Sequence, residues 1–164
     1  KYSESQEITQ LKIVRLAELF EELRDAVEEY KKKNGGAPKL FLANMGPLKQ
    51  HKARADFSRG FFEVGGFDVI YPQGFETPEK AAEEAAKSGA KVSVICSTDE
   101  TYPELVPGFT KRVKELVPDM IVILAGYPKD QIEAHKASGV DDFIYLGADV
   151  YEIISNLFKK LRVL

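Results

Sequence analysis

Three groups of residues in this sequence could act on a ligand. His51 and Cys96 could form a base and nucleophile, because an imidazole that takes a thiol proton generates the attacking thiolate. Asp99 and Glu100 offer adjacent carboxylates for general acid–base work. Gly46 and Gly126 mark places where a ligand could approach the backbone closely. Each group has a plainer reading. Cys96 ends the apolar run Val92–Cys96, where an inert, buried cysteine is the usual case. Ser97-Thr98-Asp99-Glu100 precedes a helical pattern and reads first as an N-terminal cap carrying favourable dipole charge, as does Asp149 before the last helix. Phe57, Phe61, Phe62 and Phe67 sit at spacings that fill a core. Several chemistries are excluded outright. The first loop, with Gly46 alone, has neither a dinucleotide fingerprint nor a phosphate-binding Gly-Lys-Ser/Thr. Ala43-Asn44 supplies no phosphoryl-accepting aspartate, and Pro47-Leu48-Lys49-Gln50 is no Ser/Thr-rich flavin loop. His51, His135 and Cys96 are too few for an all-protein transition-metal site.

The elements that must position these residues follow from the apolar pattern. The 164 residues suit one domain with an appended segment, and 44% hydrophobic with 30% charged residues is ordinary for a well-buried fold. A net charge of −3 with interspersed signs argues against nucleic-acid binding, and no apolar run is long enough to span a membrane. A single cysteine rules out an internal disulfide and suits a reducing, cytoplasmic setting. Lys1 rather than Met at the front suggests a fragment or a processed chain. Residues 8–33 read as one helix, with Leu16, Leu19, Phe20, Leu23, Val27 and Tyr30 on one stripe and Lys31–Lys33 complementing its carboxyl end. Asn34-Gly35-Gly36-Ala37-Pro38 then breaks the chain, giving a helical linker or arm over 1–36 and an α/β domain over 37–164.

From Lys39 onward, apolar runs at 40–43, 67–71, 92–96, 120–125 and 143–146 alternate with helical patterns at about 50–64, 77–88, 101–117, 129–138 and 149–161. Gly66, Gly89 and Gly139 close helices, and Thr77-Pro78 opens one. Such a beat predicts a flavodoxin-like three-layer sandwich with a five-stranded parallel sheet. Ligands of these sheets bind beyond the carboxyl ends of the strands.

The strings Leu42-Ala43-Asn44-Met45-Gly46…His51, Gly66-Phe67-Asp68-Val69, Thr77-Pro78-Glu79 and Ile144-Tyr145-Leu146-Gly147-Ala148-Asp149-Val150 resemble the cobalamin-binding domain of methylmalonyl-CoA mutase, over residues 37–162. In cobalamin-binding members of that family, an Asp-x-His-x-x-Gly loop provides the lower cobalt ligand. A Ser-x-Leu and a Gly-Gly line the slot for the nucleotide tail. The resemblance implies His51 at the ligand position and Gly126 in the tail slot, but the pattern is degenerate. Lys49 stands for the aspartate and Arg54 for the glycine; the other two motifs read Cys96-Ser97-Thr98 and Ala125-Gly126. This degeneracy most resembles the C-terminal domain of the non-catalytic small (beta) subunit of the heterodimeric mutase. The implied function is structural, with no catalytic residues, no metal site and no cofactor held here, beside a catalytic large subunit that interconverts succinyl-CoA and methylmalonyl-CoA. Neither nucleic acid nor membrane is an implied partner. One alternative keeps a functional adenosylcobalamin module with His51 on cobalt. Another is a small-molecule sensor or partner-binding domain using the crevice near Gly46 and Gly126.

Overall fold

A computed structural model describes residues 4–164. The chain runs α1 (Glu4–Asn34), β1 (Lys39–Asn44), α2 (Leu48–Glu63), β2 (Asp68–Ile70), α3 (Pro78–Lys87), β3 (Val92–Cys96), α4 (Tyr102–Leu116), β4 (Ile121–Ala125), α5 (Ile132–Ser138), β5 (Asp142–Ile144) and α6 (Val150–Lys160). The five strands form one parallel sheet in the order β2-β1-β3-β4-β5. This is the doubly wound, flavodoxin-like order, with its switch point between β1 and β3.

Helices cover both faces because the central strands are apolar on both. Successive strand residues point to opposite sides. Phe41, Ala43, Met45 and Ile95 join a buried cluster with Ala81, Ala85, Tyr102, Val106 and Phe109 of α3 and α4. The alternate residues Leu40, Leu42, Val94 and Cys96 are fully buried toward the α2 side, where Ser58 Oγ lies 3.7 Å from Cys96 Sγ.

The turns follow their residue types. Thr77 and Asp149 accept hydrogen bonds from the backbone N–H groups of Lys80 and Glu152, capping α3 and α6. Gly139 ends α5 at φ 117°, a left-handed conformation that a side chain would strain. Two boundaries differ from the sequence reading. The helix expected at 8–33 begins at Glu4. The apolar run 143–146 divides: β5 ends at Ile144, and Tyr145 and Leu146 leave the sheet with 39% and 87% exposure.

The chain forms two compact units, Pro38–Ala148 and the segments up to Ala37 and from Asp149. Within the second unit, Phe20 of α1 meets Tyr151 of α6 edge-on at 5.9 Å, and Leu23 and Val27 are buried. The break between Ala37 and Pro38 leads to a direct test. A chain lacking residues 1–34 is expected to retain a cooperative thermal transition by circular dichroism, because the Pro38–Ala148 unit keeps its own core. It should melt at lower temperature than the whole chain, having lost Phe20, Leu23 and Val27. A non-cooperative melt would show that the arm is integral to the fold.

Candidate functional site

The carboxyl ends of β1, β3 and β4 bring together residues far apart in sequence. After β1 the chain turns through Gly46, whose N–H donates to Phe75 O at 2.8 Å, while Phe75 N–H donates to Asn44 O at 2.8 Å. Asn44 donates its side-chain amide to Pro72 O at 2.9 Å, and its Oδ1 is buried with no partner among the described residues.

His51 lies in the first turn of α2 rather than on a loop, and it is 2% exposed. Its Nδ1 is 3.1 Å from Gly46 O. A carbonyl only accepts, so Nδ1 carries the proton and donates, leaving Nε2 as the lone-pair nitrogen. Gly74 closes the other side: a Cβ there would lie 2.8 Å from His51 Cε1 and would collide with Gly46 O. Lys49, which takes the place of the family's aspartate, is exposed; the Gly46 carbonyl fixes the tautomer instead.

One turn further along α2, Arg54 reaches across the strand ends. Its Nη1 donates to Ala125 O at 2.6 Å, Asp99 Oδ1 at 2.9 Å and Tyr102 Oη at 3.3 Å. Asp99 therefore pairs with arginine instead of capping α4. That helix starts after Thr101, whose side chain makes no capping bond. Gly126 is left-handed at φ 135°, and a Cβ on it would collide with Arg54 Nη1 and sit 3.2 Å from Asp99 Oδ1. Between β1 and β3 the switch point is bridged as well. Gln50 Nε2 donates to Ser97 Oγ at 2.8 Å, and Ser97 Oγ lies 2.6 Å from Thr101 Oγ1.

Beyond Arg54 a cavity of about 320 Å³ opens among Arg54, Phe57, Gly126, Tyr127, Tyr145 and Leu146. Tyr127 and Tyr145 pack at 4.7 Å between ring centroids, tilted by 37°. Gly126, a candidate from the sequence, lines it, as does Tyr127 beside it; Tyr145 and Leu146, expected at the end of a strand, line it too. An aromatic residue just past two adjacent strand ends was the available signal. Phe61, Phe62 and Phe67 are buried as expected, whereas Phe57 is half-buried and lines this cavity.

The structure separates the proposed nucleophile from its base. Cys96 bonds weakly with Ser58 Oγ and Val94 O, each at 3.7 Å, and His51 with Gly46. Burial pushes the Cys96 thiol up to about 12. His135 is 3% exposed, with Nε2 2.8 Å from Gln131 Oε1, and burial lowers its pKa despite the nearby charge of Asp99. No cluster of potential metal ligands occurs among the described residues.

These features define a doubly wound α/β domain whose switch-point crevice is spanned by its own side chains. Solved structures share the fold: a CheY-like protein from Pseudomonas aeruginosa PAO1 (TM-score 0.56, 18% identity, 75% of this chain and 92% of that one) and a cobalamin-binding protein from Desulfitobacterium hafniense DCB-2 (TM-score 0.58, 15% identity, 88% of this chain and 70% of that one). By sequence, the small subunit of methylmalonyl-CoA mutase from Streptomyces virginiae is 30% identical over 150 residues, 92% of this chain and 23% of the relative. The Porphyromonas gingivalis small subunit is 30% identical over 156 residues, 95% of this chain and 24% of the relative. The large subunit from Propionibacterium freudenreichii subsp. shermanii is 28% identical over 144 residues, 87% of this chain and 20% of the relative. No protein-family model matches the chain. The chain is thus a homologue of methylmalonyl-CoA mutase small subunits over nine-tenths of its length, and it spans about a quarter of the length of those relatives.

Two measurements follow from the buried groups. In the native protein Cys96 is expected to react with an aromatic disulfide reagent far more slowly than in urea, because only the thiolate attacks and burial disfavours it. Fast native labelling that is lost in a His51→Ala variant would restore the nucleophile pair. Stability should also fall at both pH extremes. The folded thiol keeps its proton while the unfolded one ionises, so stability is lost between the ordinary cysteine range and about 12. His135, depressed in the fold, is protonated first in the unfolded chain, so stability is lost as pH falls below the ordinary histidine range. Urea titrations across pH, compared with Cys96→Ala and His135→Gln, read each contribution as a flattened limb.

Proposed function

We propose that this chain is the C-terminal domain of a methylmalonyl-CoA mutase small subunit. It serves assembly with a catalytic large subunit rather than chemistry of its own. The observation that carries this reading is Arg54. Its guanidinium is bonded to Ala125 O, Asp99 and Tyr102 over Gly126, where a nucleotide tail would have to pass. The residues present are a poor fit to cobalamin. Placing the tail would break a charge-assisted cluster, whose hydrogen bonds are each worth roughly 1.5–3 kcal/mol.

Relatives matched over most of this chain include both small and large mutase subunits, and the setting we propose is a heterodimeric, cytoplasmic isomerase. No helix among the described residues is long and apolar enough to cross a membrane.

One observation favours the second reading, a functional adenosylcobalamin module. The bond from His51 Nδ1–H to Gly46 O is the kind of support a metal-ligating imidazole uses. A single titration separates the two readings. Hydroxocobalamin added at micromolar concentration is expected to leave its absorption spectrum unchanged with the wild-type chain. A spectral shift that disappears in His51→Ala would make this a cofactor-carrying domain.

A further inference from the structure

Closing the tail slot does not fill it. Arg54 uses only Nη1 for its three hydrogen bonds; Nε and Nη2 make none among the described residues, and the side chain is 31% exposed at the cavity. A guanidinium presents five donors in a planar fork, and the unused edge matches the two oxygens of a carboxylate. Around it the walls are apolar and aromatic, with Phe57 on α2 and the packed rings of Tyr127 and Tyr145 beyond β4 and β5. Leu146, 87% exposed, stands at the lip.

Resting on the closed-slot reading, we propose that this cavity binds a small aromatic monocarboxylate, its ring against Phe57 and the tyrosine pair and its carboxylate on the free edge of Arg54. The size restricts the class. A volume of about 320 Å³ lies at the low end of small-molecule sites, roughly 300–1,000 Å³, which suits a small ligand rather than an intact coenzyme thioester. The charge restricts it further. Asp99 already pairs with Arg54 at 2.9 Å, so a dianionic phosphate would meet that carboxylate's repulsion across a partly dehydrated site, whereas a monoanion adds one delocalised charge on the far edge. Aromatic rings favour offset or edge contacts with other rings, and Tyr127 and Tyr145 both line the cavity.

The test uses the whole chain, labelled with ¹⁵N, and benzoate as the probe with benzyl alcohol as its uncharged counterpart. Benzoate is expected to shift the Gly126, Tyr127, Tyr145 and Leu146 amides and the Arg54 Nε–H resonance saturably. Benzyl alcohol should bind about tenfold more weakly, since one charge-assisted contact is lost. Leu146→Asp, a change at an exposed position that leaves the core intact, should abolish the benzoate shifts by placing a like charge at the lip. Absence of saturable shifts at these residues overturns the proposal, as does equal binding of benzyl alcohol or unaltered binding to Leu146→Asp. The hydroxocobalamin titration reports separately on the slot. Silent benzoate with an unchanged corrinoid spectrum sinks the ligand class but leaves the closed slot standing. A corrinoid shift sinks the closed slot itself.

Discussion

A single guanidinium nitrogen, Arg54 Nη1, joins α2 to the ends of two strands by donating to Ala125 O, Asp99 Oδ1 and Tyr102 Oη. Much of the site depends on that convergence. The Tyr102 hydroxyl is buried at the same point, donating to Ala125 O at 2.6 Å and accepting from Ser97 N–H at 3.0 Å. Asp99 is held away from the helix start that it would otherwise cap, and Gly126 must lack a side chain because the guanidinium occupies the space. Within a partly dry edge, where unpaired charge is costly, arginine and aspartate stabilise each other only if both are present. Removing either leaves the other with a desolvation cost and reopens the crevice.

The arrangement is possible because a parallel sheet covered on both faces has few places for polar groups. Backbone groups in the middle strands are spent on the ladder, and the side chains of β1, β3 and β4 are almost all apolar and buried. Polar chemistry is therefore confined to the residues just past the strand ends. Here those residues bond mainly with one another: Gln50 with Ser97, Ser97 with Thr101, His51 with Gly46, Arg54 with Asp99. The exceptions are the free edge of Arg54 and the aromatic rim of Tyr127 and Tyr145. Past the strand ends there remains a small cavity with one cationic edge.

His51 illustrates how two substitutions in a motif can be read too simply. Lys49 in place of a carboxylate suggests an imidazole without a partner. In the folded chain the partner is the Gly46 carbonyl, made available because Gly46 adopts φ 73°. The ring is also bounded by Gly74, a residue 23 positions away that the motif does not include: a Cβ there would lie 2.8 Å from His51 Cε1.

The residue order alone determined the five strands, the intervening helices and the doubly wound class, because apolar period, helix caps and glycine turns are local signals that agree with one another. Through its resemblance to the family's motifs it also marked Arg54 as a departure from the loop and Ala125 as one from the Gly-Gly, and its apolar run made Cys96 a core residue. Tertiary structure decided where those departures act. Arg54 and Asp99 are 45 positions apart, and Arg54 and Ala125 are 71; no local period encodes such contacts. The same holds for Tyr145 and Leu146, whose apolarity reads as strand until the ladder ends at Ile144 and turns them outward. Hydrophobicity specifies that a residue should leave water. Only the packed chain determines whether there is room for it inside.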